Sequence, residues 1–159
     1  MKVEHYIKEI INARTEYTYN DKGGVSHAAQ YWYDGDGELM SEAEITYDEA
    51  GNEISSQKYA ANGEVEYSNE YDEVGRLIGS WIYMADGELL YGNEYEYDEA
   101  GNQIVLLEYE PNSELPSKYE YVYDEDRNCL GYTVYGENGE KRECVEYEWK
   151  IIQIPEKIK

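Results

Sequence analysis

Apolar and polar residues alternate with a period of two along most of this chain, and short turn phrases interrupt the alternation at regular intervals. Alternation of this kind marks half-buried β-strands, because successive side chains point to opposite faces of a sheet. The punctuation repeats. Tyr97-Asp98-Glu99-Ala100-Gly101-Asn102 is identical to Tyr47-Asp48-Glu49-Ala50-Gly51-Asn52, and Tyr71, Tyr123 and Tyr19 open variants of it. A second phrase with the same skeleton begins at Tyr33, Tyr59, Tyr83, Tyr109 and Tyr135. Glycine follows tyrosine by four residues in eight of the ten copies, Ser113 and Arg127 being the departures. A type I hairpin turn ends in a residue with positive φ, which glycine adopts freely. Gly51, Gly63, Gly75, Gly87, Gly101 and Gly139 are therefore expected to be the structural turn residues. Tyrosine and the residue after glycine are expected to be the last paired positions.

The stretches between turns are of even length, so one parity runs through the whole repeat. Propagated from Tyr47, it places Ile45, Tyr67, Tyr71, Ile82, Tyr91, Tyr95, Leu106, Tyr121, Tyr132 and Val145 on one face. The other face receives Glu42, Glu44, Glu53, Glu64, Glu66, Glu70, Glu88, Glu94, Glu96, Glu114 and Glu120, with few apolar members such as Trp81, Val105 and Leu107. Tyr67, Tyr95 and Tyr121 are expected to be more buried than Glu66, Glu94 and Glu120.

Residues 2–13 depart from the alternation. Val3, Tyr6, Ile7, Ile10 and Ile11 follow helical spacing and predict an amphipathic helix laid on the apolar face. Residues 15–149 carry the hairpin repeats, and residues 150–159 read as a terminal strand and tail stopped at Pro155. The whole, 1–159, reads as a single repeat domain. The expected fold class is mainly β: a curved antiparallel meander of roughly eleven strands with one N-terminal helix, rolled or barrel-like, since open sheets of that size tend to curl or close. Twenty tyrosines and no phenylalanine favour a thin or rolled sheet with a partly wet concave side, because tyrosine hydroxyls seek water or a hydrogen bond.

The phrase Tyr71-Asp72-Glu73-Val74-Gly75-Arg76-Leu77, with its Tyr-Asp-Glu-Ala-Gly-Asn relatives, resembles the YD (RHS) repeats, whose pattern is Tyr-Asp-x-x-Gly-Arg-Leu followed by a second glycine turn. The resemblance spans about residues 17–147. It implies a β-sheet built from hairpins, with long members of the family forming spiral shells around a toxin cargo and shorter ones associated with surface or carbohydrate interactions. This chain departs from them in having about five repeat pairs, no core or self-cleavage segment, no toxin domain, and a more acidic surface.

Charge changes the picture most. Thirteen basic residues stand against 36 acidic ones, a net charge of −23. Solubility needs only about 2–8 charges in a small domain, and like charges facing each other on neighbouring strands cost stability. The acidic face is therefore a candidate for binding a basic protein surface. Copying of glutamate by repeat duplication and adaptation to high salt are the competing explanations. Candidate chemistry is sparse. Cys129 and Cys144 sit on the strands flanking the Tyr135 turn, diagonal to each other at a separation of roughly 7–8 Å, too far for a disulfide. They are expected to be reduced. His5 and His27 have no nucleophile placed beside them. The Asp-Glu pairs at 48–49, 72–73, 98–99 and 124–125 form an edge row that brings too few ligands together for calcium.

No run of 18 apolar residues and no leader pattern occurs in the sequence, which suggests a cytoplasmic protein with no membrane contact. The expected function is non-catalytic, without cofactor or metal: an acidic protein–protein interaction module, in its sharpest form a nucleic-acid-mimicking inhibitor of a DNA- or RNA-binding protein of phage or mobile-element type, with no direct nucleic-acid contact. The alternative is a YD-type repeat module that binds glycan or protein cargo through its tyrosine-rich face.

Overall fold

The computed structural model describes residues 2–7, 10–111, 113–136 and 138–149. They form one antiparallel sheet of twelve strands in strict sequence order. The strands are β1 (Lys2–Ile7), β2 (Ile10–Tyr19), β3 (Val25–Tyr33), β4 (Leu39–Tyr47), β5 (Glu53–Ala60) and β6 (Val65–Tyr71). They continue as β7 (Leu77–Tyr83), β8 (Leu89–Tyr97), β9 (Gln103–Tyr109), β10 (Ser117–Tyr123), β11 (Cys129–Tyr135) and β12 (Lys141–Glu146). Among the described residues each strand contacts only its sequence neighbours, so no second layer packs on the sheet and β1 does not meet β12. The sheet is open. That corrects the rolled, barrel-like closure expected from strand number.

The helix expected over 2–13 is also replaced. Residues 2–7 are β1, residues 10–13 open β2, and the two pair from Lys2↔Glu16 to Ile7↔Ile10; residues 8 and 9 lie outside the described residues. The apolar spacing that suits a helix is carried by Val3, Ile7, Ile10 and Ile11, which are β-branched and fit a strand equally well. The edge of β2 offers residues 2–7 a ladder of backbone hydrogen bonds, and pairing there covers an edge that would otherwise stand open. The terminal strand expected over 150–159 lies outside the described residues.

The turns explain the register. In the 48–52 turn, Gly51 N–H donates to Asp48 O at 3.2 Å and Asp48 N–H to Asn52 O at 2.9 Å. This is a type I turn with a glycine bulge. The closing bond therefore falls one residue inside Tyr47, and Tyr47 pairs with Glu53 rather than with the residue after glycine. A further register shift follows: Thr46 faces Ser55, leaving Ile54 as an extra residue. Similar shifts mark every pairing except that of β9 and β10. Because the strand bodies keep the odd–even relation between neighbours, parity survives each bulge. Ile45, Tyr67, Ile82, Tyr91, Leu106, Tyr119 and Tyr132 share one face, and Glu44, Glu70, Trp81, Glu94, Leu107 and Glu120 the other.

A single layer has little to bury. Among the described residues, Ala28, Ala43 and Val105 are the buried hydrophobics, Ser56 and Ser68 are buried polar residues, and no large side chain is fully enclosed. What cover exists is local. On the acidic face the Trp81 ring lies flat over Gly79 on its own strand and Gly92 across from it, where a Cβ would stand 2.8 Å from the indole Cδ1. The ring thus shields backbone that glycine leaves bare.

Candidate acidic interaction face

Register places six of the candidate glutamates in the strand bodies of one face: Glu42 and Glu44 on β4, Glu70 on β6, Glu94 and Glu96 on β8, and Glu120 on β10. All of these strands are even-numbered. The rows across the sheet read Ala29–Glu44–Gln57, Glu70–Gly79–Glu94 and Glu96–Val105–Glu120. Direct opposition of carboxylates, the repulsion inferred from the sequence, does not occur in these rows. A small or apolar residue separates each pair, so carboxylate-bearing strands lie about 9.6 Å apart, twice the strand spacing. The same rows reach Glu16 on β2, opposite Ala29. Carrying the parity back one more hairpin would have found it.

The other five candidates sit elsewhere. Glu53 stands beside a bulge opposite Tyr47. Glu64 and Glu88 close turns through their carbonyls, at 2.8 Å in each case. Glu66 falls in the register shift between β5 and β6 and forms an ion pair with Lys58. Glu114 lies outside the strands, exposed in the connection from β9 to β10. Bulges that alternation cannot reveal move these residues out of the lattice.

Odd-numbered strands supply aromatic and small partners between the acids. Tyr109 Oη donates to Glu94 Oε2 at 3.0 Å, and Tyr59 Oη to Gln57 Oε1 at 2.7 Å. Burial, then the hydrogen bond to Glu94, raises the Tyr109 phenol above its ordinary value. Burial and the nearby charges of Glu44 and Glu42 do the same for Tyr59. Glu120 is held below the usual carboxylate value by Lys118, whose Nζ lies 2.7 Å away, and then by Tyr135. Arg14, 4.3 Å above the Tyr31 ring, adds a second cation. The face is thus a carboxylate lattice with phenol rungs and a few basic residues, less uniformly acidic than the sequence suggested.

Burial does not separate the two faces as expected. Tyr67 is 37% exposed while Glu66 is half-buried, and the Tyr95–Glu94 and Tyr121–Glu120 pairs are half-buried throughout. With no second layer, neither face is a core. On the tyrosine face the hydroxyls find local acceptors instead. Tyr91 donates to Glu108 at 2.9 Å, and the Tyr119 phenol is pushed up to about 12 by its hydrogen bond to the same carboxylate, with burial adding to it.

One end of the sheet collects the turns led by Asp48, Asp72, Asp98 and Asp124. Asp98 accepts from Asn102 N at 2.8 Å and Asn102 Nδ2 at 2.8 Å, and Asp48 and Asp124 repeat the arrangement with Asn52 and Asn128. Neighbouring turns are tied together: Arg76 reaches Asp98 O at 3.3 Å, Arg127 Nε donates to Asn102 Oδ1 at 2.9 Å, and Lys22 pairs with Glu49. These aspartates are engaged within their own loops. Among the described residues no group of three or more His, Cys, Asp or Glu is placed to hold a metal ion. Cys144 faces Thr133 on β11, and Cys129 faces Tyr123 on β10, so the two are not diagonal neighbours. The turn and the bulge at Tyr135 each move the register by one residue from the diagonal placement the sequence implied, and both thiols are free. His27 lies opposite Thr18 and Thr46; the side chain of His5 lies outside the described ones. No described helix is long and apolar enough to cross a membrane.

No protein-family model matches the chain, and no curated protein matches it. Among solved structures, a chain in the crystal structure of TcdB2-TccC3-TEV is similar at 22% identity and a TM-score of 0.42, over 76% of this chain and 7% of that one.

Proposed function

We propose that this chain is a non-catalytic interaction protein whose acidic face engages a basic surface on another protein. The observation that carries the reading is the alternation of strands: glutamates occupy the even-numbered strands of one exposed face, Glu44, Glu70, Glu94, Glu96 and Glu120 among them. A regular array of carboxylates about 9.6 Å apart suits lysines and arginines that otherwise meet phosphates. In its sharpest form the partner is a cytoplasmic DNA- or RNA-binding protein, and the face occupies its phosphate site as an inhibitor. Association is then steered by charge and screened by salt.

The test is capture from a source lysate by the wild-type chain and by a Glu44→Gln/Glu70→Gln/Glu94→Gln/Glu96→Gln variant, at low and high salt, followed by competition with an oligonucleotide. Binding that weakens with salt, weakens in the variant and yields to the oligonucleotide is expected. A partner retained by the variant at high salt ends the reading. A second reading, the repeat module that takes glycan or protein cargo on its tyrosine face, draws support from the exposure of Tyr67 and Ile82, 37% and 45%.

A further inference from the structure

The tyrosine face of the sheet is nearly uncharged. Between the bulges of β3 to β11, Lys58 and Glu108 are its charged side chains, and Glu66 at the β6 bulge reaches the same face and neutralises Lys58 in an ion pair, in a protein of net charge −23. It also has relief. Ser56, Asn69, Ser80 and Asn93 lie opposite one another on β5 to β8 and form a furrow of small side chains across the strands. One step along the strands, Tyr67, Ile82 and Tyr91 form a ridge beside it, with Tyr67 and Ile82 exposed. Tyr95, Leu106, Tyr119 and Val134 make a second ridge on the furrow's far side, over β8 to β11.

We propose that this face is covered by the same face of a second copy of the chain, giving a two-layered sandwich with both acidic faces outward. Stable domains enclose a core between layers, and the sheet encloses no large side chain among those described. A ridge beside a furrow is self-complementary, as a two-fold interface requires. Area suffices: the nine strands β3 to β11, about 4.8 Å apart and some seven residues long, make a face of roughly 1,000 Å², against the ~800 Å² per partner of a standard interface. Charge favours the same arrangement. A basic partner is drawn to the acidic face, where the carboxylates are, and gains little on a neutral one. In the sandwich the acidic faces point away from each other across two sheets about 10 Å apart, so their repulsion acts mainly through solvent, where salt screens it. Aromatic side chains are enriched in such interfaces.

Sedimentation velocity and light scattering on the full chain test this at roughly 0.05 M and 0.5 M NaCl. The expected result is a mass twice 18.6 kDa, with the dimer tightening about tenfold at the higher salt as residual repulsion is screened. Salt thus moves dimerisation and acidic-face binding in opposite directions, so failure of one is distinguishable from failure of the other. Tyr67→Lys/Ile82→Lys should give a monomer that keeps its strand circular dichroism, while Glu44→Gln/Glu96→Gln stays dimeric. Should the lysine pair unfold the chain, Asn69→Asp, a single charge on a side chain of nearly unchanged size in the furrow, replaces it and should also yield monomer. A wild-type chain that remains at monomer mass in both salts overturns the proposal, and a tyrosine fluorescence response to a soluble oligosaccharide would then assign the face to glycan. A dimer that survives folded variants on this face also overturns it and points to pairing at the strand edges.

Discussion

Arg127 is the one non-glycine residue with positive φ among those described, at 67°, while Gly51, Gly63, Gly75, Gly87, Gly101 and Gly139 have φ between 72° and 91°. The left-handed region costs an ordinary residue about 1–2 kcal/mol. Gly101→Val should therefore lower stability by about 1–2 kcal/mol; a Cβ there would also stand 3.9 Å from the guanidinium groups of both Arg76 and Arg127. Arg127→Gly should raise it by about 0.5–1 kcal/mol, since relief of strain exceeds the loss of one exposed hydrogen bond to Asn102. Urea midpoints for the two variants check both signs. A stabilised Gly101→Val or a destabilised Arg127→Gly would refute the turn energetics.

At the level of turns and strands, the Asp-led loops act as a set. Asp48, Asp98 and Asp124 are held below the ordinary carboxylate value, first by the side-chain amides and then by the backbone N–H groups of Asn52, Asn102 and Asn128. Asp72 is lowered by Arg76 despite opposing burial. A depressed folded pKa contributes stability that is present above the unfolded value of about 3.9 and is lost as pH falls through the folded value. Thermal unfolding between about pH 5 and 2.5 should thus show a steeper acid loss in the wild type than in Asp48→Asn/Asp98→Asn/Asp124→Asn; equal losses would show that the aspartates are energetically idle. The turns and both faces were legible in the sequence because Tyr-Asp-x-x-Gly and odd–even alternation are local signals. The bulges were not. Ile54 looks like any other apolar strand residue, yet its insertion detaches Glu53 from the acidic lattice. The same kind of shift at Tyr135 separates Cys129 from Cys144. The N-terminal strand was missed because Val3, Tyr6, Ile7 and Ile10 satisfy helical spacing, and only the open edge of β2 decides between the two.

In the molecule taken whole, each strand packs only on its sequence neighbours among the described residues, and the ties that reach farther join successive turns at one end of the sheet, as Lys22 to Glu49 and Arg127 to Asn102 do. Stability in such an array is a sum of neighbour terms. Opening should begin at the outer strands and spread inward, which amide hydrogen exchange would record as protection rising from β2 and β11 towards β6 and β7. A uniform protection profile would show a single cooperative unit instead. Repeat number then becomes an adjustable length. Deleting residues 72–97 joins Tyr71 to Asp98, keeps a complete Tyr-Asp-Glu-Ala-Gly-Asn turn, and brings β6 against β9 with parity unbroken. The shortened chain should fold with both faces intact and a lower, not absent, unfolding transition; a chain that collapses or aggregates would mean that β7 and β8 nucleate the rest. Evolution can therefore lengthen or shorten this ribbon two strands at a time, fitting its reach to a target as one cuts a measuring tape, without redesigning any residue that remains.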